Sequence, residues 1–185
     1  MKYRHFAAMI ATSTVVMFGL MYLNTYEPEH ARFSQTRMWM ALLMGAVMAV
    51  IMLLFMWKMY ENRRANYAIL GGSVLVFALA LWLVRSQETV GDVAYMQAMI
   101  PHHSIAIMTS ERAHIKDPEV RKLADGIIDA QVREIEEMNR HITRLEAHPP
   151  AGKAPDLPSH IDRGAPPPPP QTDQSAGIDT RRLMN

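Results

Sequence analysis

Between Phe6 and Val84 the chain carries three long apolar runs, from Phe6 to about Leu23, from Met38 to about Trp57, and from Tyr67 to about Val84. Each is close to the ~20 residues a helix needs to cross the hydrocarbon core of a bilayer. Trp39, Trp57, Trp82, Tyr22 and Tyr67 fall near the ends of the runs, where aromatic rings favour the membrane interface. A buried soluble helix explains any one run alone. Three in succession with aromatic flanks predict a membrane domain of three transmembrane helices over residues 1–85, about 6–23, 38–57 and 67–84. The lipid bilayer is the first expected partner.

Basic residues set the expected orientation. Lys2 and Arg4 precede the first run, and Lys58, Arg63 and Arg64 lie between the second and third. Arg32 and Arg37, between the first and second, are offset by Glu27 and Glu29. The positive-inside bias therefore places the N-terminus in the cytoplasm and everything after Val84 outside it. That describes a multi-pass protein of the inner, cytoplasmic membrane with a periplasmic or extracytoplasmic C-terminal part. The first run is too long for the apolar core of a signal peptide and lacks a small-residue cleavage pattern, so it reads as an anchor.

After Ser86 the apolar positions recur with a helical period. Asp117-Pro118 is a good N-cap followed by a proline suited to the first helical position. The pattern predicts a helix from about Thr89 to His114 and a second from Pro118 to about Ala147, a hairpin occupying residues 86–148. Pro149, Pro150, Pro155, Pro158 and the run Pro166 to Pro170 follow, and residues 149–185 read as a Pro-rich, disordered tail with little to bury. The fold class is all-α.

Composition sharpens the picture in two places. There is no cysteine, which removes disulfides, zinc-thiolate sites and a thiol nucleophile together. Methionine is the outlier, with 16 residues spread over both halves. A net charge of +1 suggests no nucleic acid partner.

The chemistry gathers in Met96-Gln-Ala-Met99-Ile-Pro101-His102-His103 and, on the next helix, Gln131-Val-Arg-Glu134-Ile-Glu-Glu-Met138. Thioether and imidazole together suit soft, monovalent copper or silver. At ~100° per residue Asp92, Met96, Met99 and His103 share one stripe, with His102 on its flank. Pro101 is expected to bend the helix there, since it lacks a donor and clashes with the carbonyl of Gln97. On the second helix the apolar seam Leu123, Ala124, Ile127, Ile128, Ile135, Ile142 and Leu145 is interrupted by Gln131, Glu134, Met138 and His141. Folding the hairpin about Lys116 sets Met99 near Glu134, His102 near Gln131 and Met96 near Met138.

Two readings of this stripe stand open on the residues alone. One is a metal site of His102, His103, Met96, Met99 and Met138, with Glu134, Gln131 and Asp92 in supporting positions. The other is a metal-free polar core in which a histidine pairs with Glu134, Gln131 satisfies the remainder, and the methionines fill gaps. His114 and His141 are weaker metal candidates.

Taken together, Asp92…Met96-x-x-Met99-Ile-Pro-His-His103, Asp117-Pro-Glu-Val-Arg-x-Leu-Ala124 and Gln131-x-x-Glu134-Ile-x-x-Met138 resemble the family called domain of unknown function 305 (DUF305), over roughly Val90 to Leu145. The resemblance implies a ferritin-like helical bundle and an association with periplasmic copper binding and resistance. It implies a metal role for Met96, Met99, His102, His103, Glu134 and Met138. Longer members of the family carry two copies of the hairpin, and this chain carries one. Two helices bury too little surface to stand alone, so a homodimer completing a four-helix bundle is expected.

The leading expectation is a membrane-anchored, non-enzymatic protein that sequesters copper(I) or silver or hands it to a periplasmic metal-handling partner. An assembly protein with a metal-free core is the alternative. Met40, Met44, Met48, Met52 and Met56 form a ladder along the second run, a path for a soft cation on one reading and helix packing on the other. A di-iron oxidase built on Glu111-Arg-Ala-His114 has the right local spacing, but His114 falls at the turn, far along the axis from Glu134.

Overall fold

The computed structural model describes residues 3–151 and 155–159. Among these, five α-helices and no strands occur: α1 Tyr3–Leu20, α2 Gln35–Phe55, α3 Arg63–Ser86, α4 Asp92–Arg112 and α5 Pro118–Ala147. The expected disordered tail lies almost wholly outside the described residues.

Helix starts follow local chemistry. The Ser34 side chain accepts the Arg37 N–H, so α2 begins three residues before the apolar run does. The Asn62 side chain accepts the Ala65 N–H and opens α3 at Arg63. Asp117 accepts from the Glu119 and Val120 N–H groups, with Pro118 next, and α5 begins where the sequence predicts. Helix α3 ends as Gln87 turns into the left-handed region at φ 54°, and the Val90 N–H closes a turn onto the Gln87 carbonyl. That turn delays α4 to Asp92, later than the predicted Thr89. Helix α4 runs unbroken through Pro101, which is fully buried.

Two helices, α2 and α3, are long and apolar enough to cross a membrane, not the three predicted. The first run falls short because α1 begins with Tyr3, Arg4 and His5 and carries Thr12-Ser13-Thr14 midway. Helix α1 instead packs alongside α2. Phe6, Ala49, Leu53 and Tyr60 form a buried cluster, and Gly45 lies directly against the side chain of Thr14. The Tyr3 hydroxyl donates to Asn66 Oδ1 at 2.8 Å, and buried Asn66 donates to the Tyr60 carbonyl at 3.0 Å. Arg4, Lys58, Arg63 and Arg64 thereby gather at one end of α1–α3. Met52 and Met56 of the ladder pack on this cluster, whereas Met44 is exposed.

The hairpin α4–α5 has its own core of Met96, Ile100, Ile107, Ile135, Ile142 and Leu145. Burying each such side chain stabilises the pair by roughly 1.5–3 kcal/mol. One seam residue departs from expectation. Leu123 is 65% exposed, because Ala124, one position round the helix, takes the inward place. The segment between α1 and α2 reaches across and packs on α4, so the hairpin and the start of α2 lie at the same end of the molecule.

Candidate functional site

The stripe on α4 meets α5 through one imidazole. His103 is buried, and its Nε2 lies 2.7 Å from Glu134 Oε2. Its Nδ1 lies 2.9 Å from the Met99 carbonyl oxygen, one turn back on the same helix. A carbonyl only accepts, so Nδ1 carries a proton and donates it. The Nε2–Oε2 contact then holds a second proton, as imidazolium to carboxylate or carboxylic acid to neutral imidazole. Either way both nitrogens of His103 are engaged.

The other stripe residues divide by burial. Met96 is buried in the hairpin core and Met138 packs against the same cluster, so the two thioether side chains share the α4–α5 interface. Met99 is partly buried, one turn from both His102 and His103. His102 is exposed, its ring centroid 6.4 Å from that of His103, and it makes no hydrogen bond among the described residues. Gln131 is partly buried one turn before Glu134. Asp92 is not at the site. It opens α4, exposed, about 16 Å along the axis from His103, where a carboxylate suits the helix N-terminus. His114 lies beyond the end of α4 and His141 sits on the exposed face of α5, 3.6 Å from Glu137. Glu111 and His114 therefore do not share a helix.

In kind, the donors fit a soft monovalent ion, as imidazole and thioether sulfur lie on adjacent turns. In availability they fit only partly. His102 is open, while His103 must leave Glu134 or the Met99 carbonyl before it can ligate. Among the described residues no three His, Asp or Glu side chains converge as a harder metal requires.

Next to His103 stands Ser104, with no exposed surface, which the sequence reading did not single out. Its Oγ accepts the Tyr26 backbone N–H at 2.7 Å and lies 3.0 Å from His30 Nδ1. His30 Nε2 in turn is 3.5 Å from Glu27. The Tyr26 ring packs on the hairpin core, with the Arg112 guanidinium 5.8 Å from its centroid. Burial pushes the Tyr26 phenol above its ordinary range. The charge of Glu111, a hydrogen bond to it, and Glu27 push the same way, with Arg112 opposing. The only sequence signal for this clasp was a small hydroxyl within an apolar helix seam. Its partners lie more than 70 residues away, beyond the reach of any periodicity.

These features define an all-helical protein in which two membrane-length apolar helices carry a helical hairpin with a buried histidine paired to a half-exposed glutamate. The chain belongs to the DUF305 family (domain of unknown function), whose match covers residues 87–181 and so continues past the end of α5. It is also similar to the uncharacterized protein L153 of Acanthamoeba polyphaga mimivirus, at 30% identity over 139 residues, covering 71% of this chain and 90% of the relative. That share exceeds the family's stretch, so the likeness extends into the N-terminal helices. No solved structure matches the chain.

Proposed function

We propose that this protein is a membrane-anchored binder of soft monovalent metal, copper(I) or silver, held on the extracytoplasmic side and serving metal homeostasis. The observation that carries the reading is an exposed, uncommitted imidazole, His102, one turn from the Met99 thioether and beside His103. In this reading His102 and Met99 hold the ion first. His103 joins by releasing one of its two hydrogen bonds, and Met96 and Met138 supply further sulfur from the core. Bound there, the ion takes lone pairs from sulfur and imidazole nitrogen. Glu134 keeps the His103 ring oriented from behind the ligands.

Anchoring rests on the outward faces of α2 and α3, where Val47, Ile51, Leu54, Phe55, Val74, Leu75, Leu79 and Trp82 are exposed together. Apolar patches of that extent are rare against water. The basic end of α1–α3 lies away from the hairpin, which by the positive-inside bias sets Lys58, Arg63 and Arg64 in the cytoplasm and the hairpin in the periplasm or its equivalent. Pairing of two hairpins in a homodimer completes the four-helix bundle of the reading.

An anaerobic copper(I) titration of the full chain in detergent against a competing chelator tests the assignment. Binding in the parent that weakens in both His102→Ala/His103→Ala and Met96→Leu/Met99→Leu supports it. Absence of binding, or variants that bind as the parent does, overturns it. A second reading has its own observation, since both His103 nitrogens are satisfied without metal. In that case the pair is a metal-free core element and the protein acts as an assembly partner.

A further inference from the structure

Between the α1–α2 segment and the hairpin lies a cavity of about 190 Å³ on the face of the hairpin that the stripe residues do not line. Its floor is aliphatic, formed by Ile107 of α4 with Ile128, Val132 and Ile135 of α5. Its mouth carries three carboxylates from three elements, Glu27 of the α1–α2 segment, Glu111 of α4 and Glu136 of α5. The volume is small beside the roughly 300–1,000 Å³ of pockets for drug-sized ligands, so it suits a compact molecule.

We propose that this cavity binds a small aliphatic organic cation, a primary ammonium on a short hydrocarbon body, with the carbon chain on the isoleucine floor and the charge among Glu27, Glu111 and Glu136. Charge complementarity carries the choice of occupant. Basic side chains do stand nearby: His30 faces Glu27, Arg112 lies over the Tyr26 ring, and Arg32 reaches Asn139 at 3.5 Å. Yet at the Tyr26 hydroxyl, on the cavity wall, Glu111 and Glu27 outweigh Arg112. Glu136 forms no ion pair among the described residues. The aliphatic floor lowers the dielectric on one side of the carboxylates, while Glu111 and Glu136 stay open to water on the other. A bare metal ion fits poorly. The floor offers it no donor, and among the described residues no three His, Asp or Glu side chains stand close enough together to hold one. An anion is repelled, and a neutral alcohol of the same length gains only the floor. The site is independent of the metal reading, since it shares none of its residues.

The test uses the full chain in detergent with the isoleucine methyl groups carbon-13 labelled, which places reporters at Ile107, Ile128 and Ile135 in the cavity itself. Butylammonium is titrated against butanol and butyrate as matched neutral and anionic probes. Saturable shifts of those three methyls are expected with butylammonium, at least tenfold weaker with butanol and absent with butyrate. Glu111→Gln/Glu136→Gln should weaken the ammonium response at least tenfold while leaving the Ile142 and Ile100 methyls at their parent positions. Ile128→Trp, which fills the cavity from its floor, should abolish it. Equal responses to butanol and butylammonium overturn the proposal. So does an unchanged affinity in the double glutamine variant, or no saturable shift with any probe up to about 10 mM.

Discussion

His103 and Glu134 meet across the α4–α5 interface at 2.7 Å, with the imidazole buried and the carboxylate partly open to water. The contact ties two helices whose adjoining seam is mainly apolar, with Arg121 donating to the Ser110 carbonyl at 2.8 Å near the turn, and a slip of one turn on either helix parts the pair. The second ring nitrogen rests on the Met99 carbonyl, so the ring orientation is set from both ends.

Removing the carboxylate therefore has a measurable cost. Glu134→Ala leaves a buried imidazole nitrogen without its partner, a loss of about 1–2 kcal/mol at the lower end of the range for unsatisfied groups, since water reaches the Glu134 side. Glu134→Gln should recover part of it, because an amide can donate to the Nε2 lone pair. Denaturant unfolding of the full chain in detergent measures both. An Ala variant as stable as the parent would show that the pair contributes nothing net.

The same geometry separates the two adjacent histidines as metal ligands. His102 is free and His103 is committed twice, so His102→Ala should weaken copper(I) binding more than His103→Ala. A difference of tenfold or more corresponds to ~1.4 kcal/mol. Competition titrations of the two single variants decide the order. The reverse order would mean that one of the two His103 contacts, to Glu134 or to the Met99 carbonyl, opens readily and that His103 is the principal ligand.

Much of this arrangement was legible in the chain. The hairpin and its turn at Asp117-Pro118 follow from a 3.6-residue period and one strong cap. Folding about Lys116 sets Met99 at the level of Glu134, whereas the Glu134 side chain instead meets His103, one turn further along α4. What the pattern missed has physical causes. Hydropathy sets the first span over Phe6–Leu23, but the helix forms over Tyr3–Leu20 and so takes in Arg4 and His5 in place of Met21–Leu23. Periodicity could not place Leu123 outside the core, because Leu123 and Ala124 both lie near the seam and only packing chooses between them. The Ser104 clasp is a contact between Tyr26, His30 and a residue far along the chain, with no local signature.

Alkaline conditions should loosen that clasp. The Tyr26 phenol is held above its ordinary value of about 10 by burial first and by Glu111 and Glu27 next. A raised value means that the neutral phenol is the form the fold favours. Its contribution is complete below the unfolded value and is lost as pH rises through the folded one. Ultraviolet titration of phenolate formation should show one tyrosine step above pH ~10 that disappears in Tyr26→Phe. Loss of a step at the ordinary value of about 10 instead would place the phenol in an ordinary environment.

Helices α1 and α2 approach closely at Gly45, where a side-chain methyl would overlap Thr14. Thr14 is held in place by its hydroxyl donating to the Ile10 carbonyl at 2.9 Å, so it yields poorly. Gly45→Ala should cost about 1–3 kcal/mol through overpacking, and adding Thr14→Ala should restore most of it. Thermal unfolding of the two single variants and the double variant closes the cycle. Additive losses would mean that the cost of Gly45→Ala does not arise from its contact with Thr14.

Ser104 offers the sharpest test of how the hairpin is joined to the N-terminal helices. Its hydroxyl accepts the Tyr26 N–H and contacts His30 Nδ1, and no other hydroxyl lies on this buried face of α4. In Ser104→Ala the Tyr26 N–H keeps its place but loses this acceptor, a change worth about 1 kcal/mol, the low end of the range, for a partly buried group. The loss should fall on the α1–α2 segment, because the apolar contacts of the α4–α5 core do not involve the hydroxyl. Hydrogen exchange read by mass spectrometry should then speed up in peptides spanning residues 24–33 while peptides within α5 stay protected. If protection falls equally in both, the serine supports the hairpin core itself and the segment is held by other contacts.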